Sequence, residues 1–225
     1  MNCIFASKDN LWSNIVFEDL KRQKNVNWTR VKSKDELKIT LEELDPDWIF
    51  FFHWSHIVVE DIWKNFRCVT FHTSNLPHDK GGSPIQNQIL KGIKSSRVNA
   101  IKMTGEIDAG PVYCSKSVTL QGSLTDIWLS IADQTKILIR NCTEKNLKPN
   151  VQEISHVKPN QRRKTTLIPV NKINEIVELY DHIRMLDAEG YPNASVKIGK
   201  FLLKFSRASI NGDRLLCDVL IEKEK

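Results

Sequence analysis

The sequence predicts an α/β protein: a mostly parallel sheet with helices on both faces, followed by a small C-terminal helix and an antiparallel β-meander. Three observations predict it. Short apolar runs alternate with helical patterns through the first 130 residues, as in successive βαβ units. Trp48 to Phe52, WIFFF, has the composition of a strand buried in a sheet. The last sixty residues change character, with strand-like runs separated around Ile198-Gly199 and Asn211-Gly212, and Asn-Gly between apolar runs is a hairpin signal.

Taken in order, Cys3 to Ala6 reads as a first buried strand, and a helix follows with Leu11, Ile15 and Leu20 on its apolar side. No GxGxxG follows that strand, so a standard dinucleotide fingerprint is absent. Val26 to Val31 is a weaker strand. Ser33 with Glu36 makes a capping-box signal for a helix through Leu44, and Asp45-Pro46-Asp47 ends it. After Trp48 to Phe52 and the segment His53-Trp54-Ser55-His56, Glu60 to Asn65 forms a short helix. Cys68 to Phe71 is the central strand, and alternation of side chains points Cys68, Thr70 and His72 one way, Val69 and Phe71 the other.

A polar loop with Pro77, Gly81, Gly82 and Pro84 leaves that strand's end, where open α/β sheets hold their ligands. Ser83 is the expected N-cap of the next helix, with Pro84 at its first position and Ile85, Ile89 and Ile93 on one face. Val98 to Met103 is a strand, Thr104 to Gly110 a loop carrying Asp108, and Val112 to Val118 another strand. Ser123 caps a helix whose Leu124, Ile127, Trp128 and Ile131 read as core. A basic segment with Lys158, Arg162, Arg163 and Lys164 follows. Ile173, Ile176, Val177 and Tyr180 then form a helix face, and Gly190-Tyr191-Pro192 ends that helix before the meander.

Composition bounds the function. A chain of 225 residues buries a substantial core without crosslinks, and its five cysteines are scattered and without metal spacing. They read as reduced thiols, and no His or Cys cluster offers a metal site. The N-terminus lacks a signal-peptide pattern, and no apolar run approaches the ~20 residues that span a bilayer. A cytoplasmic protein with no membrane partner is expected. The net charge of +6 is spread among charges of both signs; it would suit a polyanionic partner, and a phosphorylated small molecule satisfies it as well as nucleic acid would.

The chemistry is concentrated in TFHTSNLPHDKGGSPI, Thr70 to Ile85, and MTGEIDAGP, Met103 to Pro111. His72, Ser74, Leu76, Pro77, Lys80, Gly81, Pro84, Ile85, Met103, Asp108, Gly110 and Pro111 stand in one ordered pattern. This pattern resembles the folate-dependent formyltransferases, whose fold is a Rossmann-like sheet. The resemblance implies formyl transfer from 10-formyltetrahydrofolate to an amine, with His72 and Asp108 as the catalytic pair and no metal. It implies a pterin-pocket wall at Ser55, His56 and Val58, completed by Asp108, and substrate contacts at Ser74, Lys80, Gly81 and Gly82. The Arg162-Arg163 pair also has a counterpart in the family. The family's Asn two residues before the His falls on Thr70 here. The expected role is a donor to the formyl oxygen as it gains charge; either Thr70 fills it with one hydroxyl, or Asn75 in the loop does.

The implied organisation is a formyltransferase catalytic domain over 1–156, a basic linker over 157–170 and a small α+β subdomain over 171–225. FFHWS together with HTSNLPHDKGGSPIQ looks most like the nucleotide-sugar branch, so the expected acceptor is a nucleotide-linked amino sugar destined for surface glycans. A methionyl-transfer-RNA enzyme, a hydrolase releasing formate and a non-catalytic folate- or glycan-binding module are the alternatives. Relatives often form homodimers, and no surface pattern decides the oligomeric state here.

Overall fold

A computed structural model describes residues 1–145, 147–153 and 158–224. The chain runs β1 (Asn2–Ser7), α1 (Leu11–Leu20), β2 (Asn27–Val31), α2 (Lys34–Glu43), β3 (Trp48–Phe52), α3 (Glu60–Asn65), β4 (Cys68–Thr73), α4 (Pro84–Leu90), β5 (Ser95–Lys102), β6 (Val112–Thr119) and α5 (Leu124–Glu144). A 3-10 turn at Val170–Lys172, α6 (Ile176–Arg184) and three strands, β7 (Ala194–Ile198), β8 (Phe201–Asn211) and β9 (Arg214–Lys223), complete it. The junction expected at 156/157 lies outside the described residues.

Strands β2-β1-β3-β4-β5-β6 form one sheet; its first four strands are parallel, β5 runs against them, and β6, antiparallel to β5, runs with them again. Alternation along each strand builds a core on both faces. Cys3, Phe5, Trp48, Phe50, Phe52 and Val69 meet Trp12 and Val16 of α1 and Leu124, Ile127 and Ile131 of α5. Ile4, Ala6, Ile49, Phe51 and Cys68 meet Leu37 of α2 and Ile62 of α3. Each large apolar side chain so buried stabilises the fold by about 1.5–3 kcal/mol. This is why all five residues of β3 are buried.

The helix patterns hold with local corrections. Helix α1 is rotated from expectation: Trp12, Ser13, Val16 and Leu20 are buried while Leu11 is exposed, because α5 packs across the Trp12 side. Ser33 caps α2 by accepting the Glu36 N–H, but the Glu36 carboxylate takes the Lys32 N–H instead of closing the box on Ser33. Ser83 is not a capping side chain. It sits in the left-handed region at φ 50°, and its Oγ accepts the Arg163 N–H, so a segment 80 residues away claims the oxygen. Ser123 does close a full capping box, with Asp126.

The C-terminal unit packs α6 on the β7-β8-β9 sheet around Ile168, Ile183 and Ala194. Helix α6 starts at Ile176, so Ile173 precedes it, and Val177 is exposed; the buried side is Ile183 and Arg184. Arg184 ties the two units together. Its guanidinium donates to the carbonyls of Leu120 at 2.6 Å and Gly122 at 3.0 Å, and Asp181 neutralises it at 2.6 Å. A buried cation is retained here because Nε and Nη1 each meet an acceptor and Asp181 balances the charge.

Candidate active site

Strand β4 runs two residues past its expected end and delivers His72 nearly buried at the carboxyl edge of the sheet. The chain leaving it is fixed by amides that the sequence pattern did not single out. Asn99 on β5 donates to the carbonyls of His72 (3.1 Å) and Ser74 (2.8 Å), and Ser115 on β6 holds the Asn99 oxygen at 2.7 Å. Gln88 on α4 donates to Thr73 O at 2.7 Å and is itself held by Ser96. The only signal in the sequence was an Asn inside the apolar run Val98–Met103 and a Gln between Ile85 and Ile93. Satisfied buried amides of this kind define one loop conformation.

Asp108 reaches His72 by a path that no local pattern encodes. The loop after β5 begins at the far end of β4, where Met103 N–H bonds Cys68 O at 2.8 Å, and returns across the face that carries Thr70 and His72. It places Asp108 Oδ2 3.2 Å from His72 Nδ1, while the Gly81 N–H donates to the same oxygen at 3.0 Å. Gln152 secures the loop by donating to the carbonyls of Asp108 (2.9 Å) and Gly110 (2.7 Å). The other ring nitrogen, His72 Nε2, lies 3.0 Å from Asp79 O. Both ring nitrogens therefore face oxygen atoms, Asp108 Oδ2 on one side and the Asp79 carbonyl on the other. To reach a substrate oxygen, Nε2–H must exchange the Asp79 carbonyl for it.

These groups line a cavity of about 530 Å³ at the strand ends. Thr70, His72, Asp108, Gly81, Gly82 and Ser55 are brought together on its wall. The remaining expected positions are not. Asn75 is exposed and off the cavity, so of the two candidates only Thr70 lines it. His56 is exposed against Trp54, and Val58 packs with the Cys68 cluster, because the chain after Ser55 turns outward to enter α3. Ser74 is fully buried beneath the loop, and Lys80 offers its carbonyl to Asn160 N–H.

Several cavity residues were not expected as such. His53 and Trp54 at the end of β3 line it, as do Trp128 and Ile131, which the helix pattern had assigned to the core. The stripe is still core: Leu124, Ile127 and Ile131 are buried and Trp128 packs against them, so this edge of the core forms part of the cavity wall. Arg162, Arg163 and Lys164 of the basic segment line the mouth with Lys8. Burial, reinforced by Lys8 and Arg162, pushes the His53 imidazole down to about 4, so it is neutral at pH 7.

The segment expected as a linker is bound at both ends. Asn160 pairs with the Lys80–Gly82 backbone through 2.8 Å bonds in both directions, and Ser195 of β7 bonds Thr166 and Ile168. Gly82 is required by that approach: a Cβ there would lie 2.5 Å from Arg162 N and 2.6 Å from its Cα. Gly82→Ala is expected to lift the basic segment from the cavity mouth. The check is limited proteolysis, which should cut within 158–165 faster in the variant, with the melting temperature lowered by only a few degrees.

Thr70→Val keeps the β-branched shape and removes one hydroxyl that makes no intramolecular hydrogen bond among the described residues. A neutral hydrogen bond contributes about 0.5–1.5 kcal/mol, so if the hydroxyl donates to substrate, turnover should fall roughly 2- to 10-fold, read as kcat with stability unchanged.

Comparison with known proteins gives the class and then its members. Residues 7–143 match the family described as "Formyl transferase", and residues 168–222 match "Methionyl-tRNA formyltransferase, C-terminal domain". The chain belongs to the formyl transferase family. It is 35% identical to a methionyl-tRNA formyltransferase from Clostridium thermocellum over 99% of both chains, with a TM-score of 0.90. A 4-N formyltransferase from Francisella tularensis shares the fold at a TM-score of 0.65 and 16% identity, over 99% of this chain and 98% of that one. Among curated relatives, methionyl-tRNA formyltransferase of Malacoplasma penetrans is 29% identical over 116 residues, 49% of this chain and 36% of its own length. The chain spans about a third to a half of the length of the curated relatives it matches.

Proposed function

We propose that this chain transfers a formyl group from 10-formyltetrahydrofolate to the amino group of a nucleotide-linked amino sugar. The observation that carries the reading is a single cavity in which a buried His72–Asp108 pair is combined with four cations, Lys8, Arg162, Arg163 and Lys164, at the mouth. Such a mouth attracts a phosphate-bearing small substrate and leaves its amine at the pair. The folate ring fits at the β3 end, where Ser55 lines the cavity and Trp54 contributes an aromatic surface whose buried indole N–H has no partner among the described residues. The folate supplies the activated formyl carbon.

The residues then act on protons and charge. Asp108 takes the proton that the amine nitrogen sheds as its new bond to the formyl carbon forms and returns it, directly or through water, to the folate nitrogen as the old carbon–nitrogen bond breaks and tetrahydrofolate departs. His72 turns its Nε2–H from the Asp79 carbonyl to the oxygen gaining charge, and the Thr70 hydroxyl donates a second bond. Five unpaired cysteines fit a reducing, cytoplasmic setting.

A second reading, formylation of methionyl-transfer RNA, is favoured by the match over 168–222 and by the 35% identity to the Clostridium protein. One assay separates them. Protein and 10-formyltetrahydrofolate are offered a panel of nucleotide-linked 4-amino sugars and, separately, methionyl-transfer RNA. A gain of one formyl mass on a sugar supports the first reading. Formylated methionyl-transfer RNA with an inert panel overturns it, and formate release without an acceptor points to a hydrolase.

A further inference from the structure

Between the β1 and β4 strand ends, the cavity wall carries a hydrogen-bond relay whose direction can be read throughout. Asn10 caps α1 by accepting the Ser13 N–H on Oδ1 at 2.9 Å, which fixes the orientation of its amide. Asn10 Nδ2 therefore faces His53 Nδ1, at 3.0 Å, as a donor, and that ring nitrogen must accept. The proton of the neutral imidazole is then on Nε2, which donates to the Tyr191 oxygen at 3.2 Å. Trp128 Nε1–H, a donor only, bonds the same oxygen at 3.1 Å. With both lone pairs of Tyr191 taken, its hydroxyl can act only as a donor. Among the described residues no acceptor for that proton is present, and Tyr191 lines the cavity.

We infer that Tyr191 is a specificity-determining residue that donates its fixed hydroxyl proton to a phosphate oxygen of the amine substrate, beside Lys8 and Arg162. The two cations line the same cavity, and they bear electrostatically on this cluster: both help hold His53 neutral after burial, and Arg162 acts on Tyr191. A lone donor among cations selects an anionic oxygen, because a charged acceptor gives the stronger bond and a donor-only substrate group would meet the hydroxyl proton to proton. The inference deepens the proposed reading and rests on it only for what carries the phosphate. The C-terminal segment acquires a role by the same route, since it brings Tyr191 to a wall otherwise built by β3 and α5.

The test is binding of inorganic pyrophosphate followed by tryptophan fluorescence, with Trp128 as the reporter bonded to the hydroxyl. Wild-type protein should bind. Tyr191→Phe, which keeps the ring, should weaken binding about tenfold or more, and Lys8→Gln should weaken it several-fold. The Phe variant leaves the His53 and Trp128 donors without an acceptor, so its fold is checked by circular dichroism; if it does not fold, the Lys8→Gln result decides. No binding by wild type, or equal affinity in the variants, overturns the inference. With whichever amine is formylated, Tyr191→Phe should raise KM for that amine and leave KM for 10-formyltetrahydrofolate unchanged; unchanged amine KM also overturns it. A failed transfer panel with intact, Tyr191-dependent pyrophosphate binding would reject the amino-sugar reading and keep the phosphate site.

Discussion

Asp108→Asn is expected to lower formyl transfer by two to four orders of magnitude while leaving the protein folded. The amide oxygen still accepts the Gly81 N–H, so the loop retains its anchor. The same oxygen faces His72 Nδ1, so the contact with the ring is also kept, but the neutral amide carries no charge toward it and cannot take up a proton. Such a site has lost the carboxylate that would receive the amine proton and the negative charge beside His72. General acid–base catalysis typically contributes 10²- to 10⁴-fold, and the pair acts as a unit, so His72→Asn should cost about as much and the double variant little more. The measurement is single-turnover transfer at saturating folate, with melting curves as the control for folding. A wild-type rate in either single variant would sink the assignment of this pair.

The second large effect is one of stability. A Cβ on Gly110 would lie 1.8 Å from Lys102 O, a backbone atom that cannot swing aside. Lys102 N–H is bonded to Pro111 O at 2.8 Å and Ile101 pairs with Val112, so the two strands can part only by breaking the start of the β5–β6 ladder. Gln152 loses its hold on the Asp108 and Gly110 carbonyls in the same movement. Gly110→Ala should therefore destabilise the fold by roughly 3 kcal/mol or more and abolish transfer, because Asp108 leaves His72. Urea denaturation measures the first and the transfer assay the second. Gly105→Ala in the same loop is the control: its Cβ would meet only Trp63 at 3.5 Å, an ordinary contact, and stability should be unchanged. If both variants were equally stable, the close approach at Gly110 would be disproved.

Much of this protein was legible locally. The strand WIFFF, the cap at Ser123 and the hairpin at Asn211-Gly212 follow from burial, capping and turn chemistry acting over a few residues. His72 could be placed at a strand end by alternation alone, and the ordered pattern around it pointed to the family. The candidate site was legible only in part. Ser83 carries the residue type of a cap, yet its oxygen serves Arg163; Trp128 sits in an apolar stripe, yet it opens on the cavity.

What the chain determines by itself is each element's period, its caps and the residue types delivered to the ends of strands. What only the tertiary structure decided is which of those residues meet. The turn of the Asp108 loop back toward His72, the docking of residues 160–163 on Gly81 and Gly82, and the convergence of Asn10, His53, Trp128 and Tyr191 join positions 27 to 138 residues apart. Contacts at such separations depend on how whole layers pack, because the direction of a buried hydrogen bond and the clearance around a glycine are set by neighbours that no short window of sequence contains.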